Sequence, residues 1–293
     1  MCGKCSLLQL ENSFNVNVMY GENYGYLSSL NPHMIKHLKI KSEKLKKISN
    51  LENQETVIDI GSNDGTFLSN FKRTNRLIGV DPTLKKLKKF YRKDIITIPN
   101  FFSGQIISKY LKNKKAKIIT SISMFYDLPS PIQFAQDIYE CLDSDGIWHL
   151  EQSYMPLMLK NISYDTICHE HLEYYSLKTI KYIFDKVGFK IIDLEFNDIN
   201  GGSFALTVGE IKVSQNGKSE YYATGGGFAE IYKDSVKLLV ESLEKSNEID
   251  SDRAKASLER AQQRKTKQNS EINDVRVEAS LVRALNRLRV SKR

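Results

Sequence analysis

Short runs of apolar, mostly β-branched residues alternate with polar, lysine-rich text as far as Val208. The clearest run, Thr56-Val57-Ile58-Asp59-Ile60, has the continuous character of a strand buried on both faces of a parallel sheet. It leads directly into Gly61-Ser62-Asn63-Asp64-Gly65 and a helix predicted from Thr66 to Lys72. Arg76–Val80 predicts a second strand ending at Asp81-Pro82, followed by a lysine-rich helix over 83–93. Ile95–Ile98 predicts a third strand, ending at Asn100-Phe101-Phe102, and Lys117–Ser123 a fourth. A helix over Ile132–Leu142 precedes a fifth strand at Gly146–Leu150. This alternation predicts an α/β doubly wound parallel sheet, which binds ligands at the carboxyl ends of its strands. A further helix is predicted at Leu177–Val187. Asn200-Gly201-Gly202-Ser203 then lies between apolar runs at Lys190–Phe196 and Ser203–Val208, either as a hairpin turn or as backbone that approaches a substrate.

The pattern changes after Val208. Ile211–Val213 and Tyr221–Ala223 flank Asn216-Gly217, a favoured hairpin turn. Asp250 is placed to cap an alanine-rich helix, and Asn273 or Asp274 a second one, which predicts a carboxyl-terminal αα-hairpin.

Composition narrows the class. The 293 residues suffice for one large domain or two smaller ones, and 41% hydrophobic content supports packed cores. The net charge of +8 rests largely on lysine runs such as Lys85-Lys86, Lys88-Lys89 and Lys112 to Lys117, which read as solvated helix faces. No basic stripe interleaved with aromatics argues for nucleic acid. No apolar run reaches the roughly 18 residues of a membrane span. The opening Met1-Cys2-Gly3-Lys4-Cys5 is no secretory signal, and four cysteines that include this C-x-x-C point to a reducing cytoplasm.

The glycine loop carries the first candidate chemistry. Gly61 lets the chain turn off its strand, and Gly65 lets the next segment start close to a ligand. Asp81, about 20 residues on, is placed to accept ribose hydroxyls of an adenosine-bearing cofactor. The loop lacks the G-x-G-x-x-G of a dinucleotide site and instead resembles the D-x-G-x-x-x-G of class I S-adenosylmethionine-dependent methyltransferases, with Asp59, Gly61 and Gly65 at its fixed points. That resemblance implies a Rossmann-like fold, S-adenosylmethionine held by Asp59, Gly61 to Gly65 (Ser62, Asn63 and Asp64 included) and Asp81, and adenine flanked by Asn100 and Phe101.

Four further stretches occur in order: YGYLSS at 24–29, SISMFYDLPSP at 121–131, EQSYMPLMLKNISYDTICHEHLEYYS at 151–176 and NDINGGSF at 197–204. Together they resemble the sugar C-methyltransferases that act on nucleotide-linked 4-keto-6-deoxyhexoses, over about residues 1–208. The resemblance implies removal of a proton beside a ketone, for which histidine is the usual base. His171 is the candidate base and Glu170 its helper; Tyr24 and Tyr26 are candidate donors to the developing enolate; His169, Asn200, Gly201 and Gly202 would meet the substrate. Some relatives carry a tyrosine where this chain has Cys168, and a thiol is a poor donor. A metal held by His169 and His171 would need further ligands such as Cys168 or Glu173. Cys2 and Cys5 resemble half of a small zinc module, and a structural zinc needs four ligands, so zinc is expected to be weakly bound or absent.

Residues 209–293 resemble the carboxyl-terminal part of the F-type ATP synthase epsilon subunit, through GEIKVSQNGKSEYYATGGGFAEIYKDSVKLLVES, EIDSDRAKASLERAQQR and NDVRVEASLVRALNRL. The I-D-x-x-R-A signature stands at Ile249, Asp250, Arg253 and Ala254, and Arg260, Arg283 and Arg287 match positions linked to nucleotide contact. Docking on the synthase's catalytic subunits is expected ahead of ATP binding. The expected division is a partial zinc module at 1–20, a methyltransferase domain at 21–208, remnant strands at 209–232 and a helical domain at 233–293. Three functional expectations follow: sugar C-methylation, an epsilon-like regulatory module, or a join of two incomplete parents at Val208–Gly209 with neither activity.

Overall fold

A computed structural model of the chain describes residues 1–12, 15–20, 24–199, 202–209, 212–215, 218–224, 227–231, 236–240, 243–266, 284–285, 287–288 and 290–291. The chain divides into two compact units: Met1–Ile183 with Asp193–Gly209, and Phe184–Ile192 with Glu210–Arg293.

A short strand β1 (Leu8–Gln9) and helix α1 (Val16–Met19) precede the long helix α2 (Pro32–Ile48). The sequence pattern did not predict α2, although its start is well marked: Asn31 Oδ1 accepts from the amides of His33 and Met34, with Pro32 in the first turn. Its buried face is Leu38, Lys41, Ser42 and Leu45, so charged and polar groups interrupt the apolar stripe.

The sheet and its cover then follow: β2 (Thr56–Ile60), β3 (Arg76–Val80), α3 (Leu84–Leu87), β4 (Ile96–Ile98), α4 (Gly104–Leu111), β5 (Ala116–Ile122), α5 (Pro131–Cys141), β6 (Leu142–Ser153), α6 (Met155–Asn161), β7 (Glu173–Tyr174), α7 (Leu177–Val187), β8 (Lys190–Asn197) and β9 (Ser203–Gly209). Seven strands form one sheet in the order β4-β3-β2-β5-β6-β9-β8. β2 pairs in parallel with β3 and β5, and β5 with β6, whereas β9 runs antiparallel to β6. The sheet is therefore doubly wound as expected, with an antiparallel addition at one side. The strand order reverses beside β2, which puts a crevice at the carboxyl ends of β2 and β5. Every residue of β2 is buried, as its β-branched run requires.

Two predicted helices shrink. In place of Thr66–Lys72 there is a single 3-10 turn at Leu68–Asn70. Here side chains take the bonds of the backbone: Asp64 Oδ1 accepts from the amide and hydroxyl of Thr66, and Asn70 Nδ2 donates to the carbonyls of Thr66 and Phe67. The lysine-rich 83–93 stretch forms only α3 and a 3-10 turn at Lys88–Phe90, where four lysines crowd neighbouring turns.

In the second unit β10 (Lys212–Gln215), β11 (Lys218–Thr224), β12 (Gly227–Ile231), β13 (Val236–Val240) and β14 (Leu243–Lys245) precede α8 (Ser251–Thr266). β10 and β11 are antiparallel, with Gln215 opposite Lys218. Strands run on to Lys245, so the helical part starts at Ser251 rather than at 233. Asp250 Oδ1 accepts from the amides of Asp252 and Arg253 and caps α8. Ile249 and Val290 pack together in a buried cluster. Asn216, Gly217, Asn273, Asp274, Arg276 and Arg283 lie outside the described residues, as does the start of the second helix expected there.

Candidate active site

A cavity of about 560 Å³ opens at the carboxyl ends of β2, β3, β4 and β5. Its floor is the turn after β2. Gly61 and Gly65 adopt φ of +69° and +78°, a left-handed backbone that other residues rarely take. The turn is braced from behind by Tyr91, whose hydroxyl lies 2.7 Å from Ser62 Oγ and 3.1 Å from the carbonyls of Ser62 and Asn63. Asp59, buried below, accepts from Thr120 Oγ1 at 2.6 Å, and burial raises its carboxyl to about 7 against the help of that bond.

Asp81 at the end of β3 holds the turn to the next loop. Its Oδ2 accepts from the Asn63 amide at 2.9 Å, and its Oδ1 takes both the amide and the hydroxyl of Thr83 at 2.8 and 2.5 Å. The side chains of Asn63 and Asp64 reach the other way, to the amino-terminal segment. Asn63 Oδ1 accepts from Ser28 N and its Nδ2 donates to the carbonyl of Tyr26, while Asp64 Oδ2 accepts from Ser29 N. The YGYLSS stretch is thereby tied to the glycine turn.

That segment, with Glu170 and His171, also lines the cavity. His171 Nδ1 lies 2.8 Å from the carbonyl oxygen of Thr166. A carbonyl only accepts, so Nδ1 carries a proton, and in the neutral ring Nε2 is the nitrogen with the lone pair. The imidazole lies against Tyr126 with ring centroids 4.2 Å apart and the rings tilted by 53°, and Tyr126 itself donates to the carbonyl of Ser123. Tyr20, at the end of α1, donates to Asp127 Oδ2 at 2.5 Å. Burial pushes the Asp127 carboxyl up to about 8, with Tyr20 opposing and Glu170 and Glu173 adding to the rise. Burial likewise raises Tyr24 to about 12, which keeps its hydroxyl protonated.

Of the residues singled out in the sequence, Tyr24, Tyr26, Asp59, Gly61, Ser62, Asn63, Asp81, Asn100, Phe101, Glu170 and His171 all line this cavity. Asp64 and Gly65, at the far end of the turn, are not on the wall, nor are His169 and Gly202. Gly202 belongs to the connection between β8 and β9; a Cβ there would meet Leu157 Cβ at 2.7 Å, so the close approach that needs glycine is to α6. Asn200 and Gly201 lie outside the described residues. Sequence reasoning passed over Tyr20, Tyr126 and Asp127, although the last two lie inside the SISMFYDLPSP run.

Among the described residues no group of three or more His, Cys, Asp or Glu is placed to hold a metal. The Cys2 and Cys5 thiols bond each other and backbone amides, Cys2 those of Lys4 and Cys5, and Cys5 those of Leu7 and its own residue. Beside the cavity, fully buried Glu151 meets His37 Nε2 at 2.5 Å and Lys41 Nζ at 3.0 Å. Burial opposes its charge, but these partners prevail and hold the carboxyl below its ordinary range.

In the second unit Arg253 and Arg260 are exposed on α8. Arg287 instead grips Glu244 as a fork, Nε to Oε2 at 2.5 Å and an Nη to Oε1 at 2.9 Å. No helix among the described residues is long and apolar enough to cross a membrane.

A doubly wound sheet with a glycine turn, an acid at the end of the next strand and a cavity between them defines a nucleoside-cofactor enzyme of the Rossmann-like class. The chain belongs to the methyltransferase domain family, whose model matches residues 33–194, more than half its length. Residues 247–292 separately match the long alpha-helix domain of the ATP synthase delta/epsilon chain. The C-methyltransferase NovU of Streptomyces niveus is 26% identical over 208 residues, covering 70% of this chain and 49% of that protein. The ATP synthase epsilon chain of Nitratidesulfovibrio vulgaris is 40% identical over 86 residues, covering 29% of this chain and 64% of its own. A solved S-adenosylmethionine-dependent methyltransferase from Anabaena variabilis is 16% identical with a TM-score of 0.48, covering 66% of this chain and 90% of its own. The chain thus spans about half the length of the first of these relatives and under two thirds of the second.

Proposed function

We propose that a methyltransferase domain at residues 21–208 transfers a methyl group from S-adenosylmethionine to the carbon beside the ketone of a nucleotide-linked 4-keto-6-deoxyhexose. The observation that carries this is that one cavity is lined both by the glycine turn with Asp81 and by His171 with Glu170 and the tyrosines. A cofactor and a small substrate can meet only where both sets of groups share a space. The 26% identity to NovU supports carbon as the methyl acceptor.

The donor set suits the cofactor. Asp81 Oδ1 is filled by Thr83, but Oδ2 takes a single amide and retains a lone pair for a ribose hydroxyl. Asn100 and Phe101 follow the next strand, where adenine would lie, and Gly61 to Asn63 line the same cavity. When bound, S-adenosylmethionine supplies an electrophilic methyl group. The protein supplies the rest. His171 Nε2 removes the α-proton, its tautomer fixed by the Thr166 carbonyl. Glu170 next to it takes part in proton handling, and Tyr24, protonated at neutral pH, and Tyr26 donate to the sugar. His171→Ala should lower turnover by about 10²–10⁴-fold with cofactor affinity unchanged. Full turnover in that variant would remove His171 as the base.

A second reading concerns the second unit, which docks on the catalytic subunits of an ATP synthase. The exposed Arg253 and Arg260 favour it. Arg287 is committed to Glu244, which favours partner docking over an arginine cluster on ATP phosphates. Failure of the chain to bind those catalytic subunits or inhibit their ATP hydrolysis would dismiss it.

A further inference from the structure

Proton removal beside a ketone puts negative charge on the carbonyl oxygen, and a fixed donor in water-poor surroundings must meet it. Cys168, where some relatives carry tyrosine, offers only a thiol, a weak donor. Asp127 is a better-placed group. It ends the 3-10 turn Phe125–Asp127, is 8% exposed and lines the cavity with Tyr126, Glu170 and His171. Tyr20 donates to Oδ2, while Oδ1 is buried with no partner among the described residues. Native structures seldom leave such an atom orphaned, and this residue stands in a cavity wall, where a ligand brought within reach would satisfy it.

Which atom carries the acid proton follows from the Tyr20 bond. Oδ2 already accepts a hydrogen, so a proton on this carboxyl belongs on Oδ1, the atom without a partner. We infer that Asp127, as the neutral acid, donates a hydrogen bond from Oδ1 to the oxygen of the substrate enolate, with Tyr20 setting that orientation. This rests on the enolate chemistry proposed above. Burial and the nearby carboxyls of Glu170 and Glu173 keep the group neutral to about pH 8, against the opposing bond from Tyr20. The other titratable groups that face it are Tyr24 and Tyr126, both held protonated by burial, and His171 lies behind the Tyr126 ring. Tyr126 touches the base and precedes Asp127 in the chain, so one short turn contacts the base and carries the donor.

The electron count is simple. His171 Nε2 takes the α-proton; the C–H pair becomes the C=C bond, and the carbonyl π pair moves to oxygen, where the Asp127 O–H meets it. When the α-carbon then bonds to the methyl carbon, the C–S pair returns to sulfur and the ketone re-forms. Asp127 keeps its proton throughout.

The test uses the full chain with S-adenosylhomocysteine and a nucleoside-diphosphate 4-keto-6-deoxyglucose in D₂O, following loss of the α-hydrogen signal by NMR from pH 6 to 9.5. Asp127→Leu should slow exchange about 10²–10³-fold, the cost of losing one such donor. Asp127→Asn retains a donor and should stay within about tenfold of wild type, without the fall in rate above about pH 8 that wild type shows. S-adenosylhomocysteine affinity should hold in both variants. Infrared titration of the ligand-free chain should find a neutral carboxyl band that ionises near pH 8 and is missing from Asp127→Asn. Exchange in Asp127→Leu within threefold of wild type, a persistent alkaline fall in Asp127→Asn, or absence of the band at pH 7 would overturn the role. If wild type shows the band but exchanges nothing, the enolate reading fails and the role of Asp127 fails with it.

Discussion

Replacing Gly65 by alanine sets a methyl group against two fixed features. The residue has φ +78°, and a Cβ there would lie 2.9 Å from Tyr91 Cε1 and 3.0 Å from Cδ1 and Cζ. Left-handed backbone costs a residue with a side chain about 1–2 kcal/mol. The ring cannot swing away without giving up its bond to Ser62 Oγ, so overpacking adds about 1–3 kcal/mol. The expected destabilisation is therefore about 2–5 kcal/mol, the sum of those two terms. Trp148 is the chain's single tryptophan and is fully buried in β6, so its emission follows unfolding of the sheet. Urea titrations of wild type, Gly65→Ala, Tyr91→Ala and the double variant separate the terms. Removing the ring relieves the contact but not the backbone strain, so the cycle should give a coupling of about 1–3 kcal/mol. A loss below 1 kcal/mol in Gly65→Ala, or no coupling to Tyr91, would refute the placement of that ring behind the turn.

Glu173, bonded by the Tyr175 hydroxyl, is raised by burial to about 7. The folded chain then holds a proton that the unfolded chain releases near pH 4, so this group's stabilising contribution is present at low pH and lost as pH rises towards 7. Glu173→Gln should flatten the pH dependence of the urea-derived stability between pH 5 and 7 by up to one proton, about 1.4 kcal/mol per pH unit; an unchanged slope would contradict it. Asp250→Ala removes the cap of α8 and should cost that helix about 1 kcal/mol. Circular dichroism of a thermal scan reads the loss, and an unaltered transition would count against the cap.

Much of the first unit was legible where residue type and burial agree. β2, β3 and α7 begin and end where the pattern put them, because their apolar runs are packed in the way those runs imply. α2 was not legible, since Lys41 and Ser42 sit on its buried face. Lys41 pairs there with Glu151, and no periodicity within one helix announces a partner about a hundred residues away. The same pair explains why β6 continues past Leu150: the polar Glu151 and Gln152 would end a strand by composition, yet Glu151 is satisfied across the fold by His37 and Lys41. In the site, the glycine turn and His171 could be found from spacing and residue type. Asp127 could not, because what distinguishes it is an unpaired oxygen, a property of the folded cavity and of Tyr20 rather than of the local sequence.

The most direct test of the account is to incubate the chain with S-adenosylmethionine carrying a ¹³C-methyl group and a nucleoside-diphosphate 4-keto-6-deoxyglucose, and to read the product by NMR. The account predicts a labelled methyl carbon bonded to a ring carbon beside the ketone, at a rate that collapses in His171→Ala. A label on oxygen, or no transfer by a chain that binds the cofactor, would contradict it.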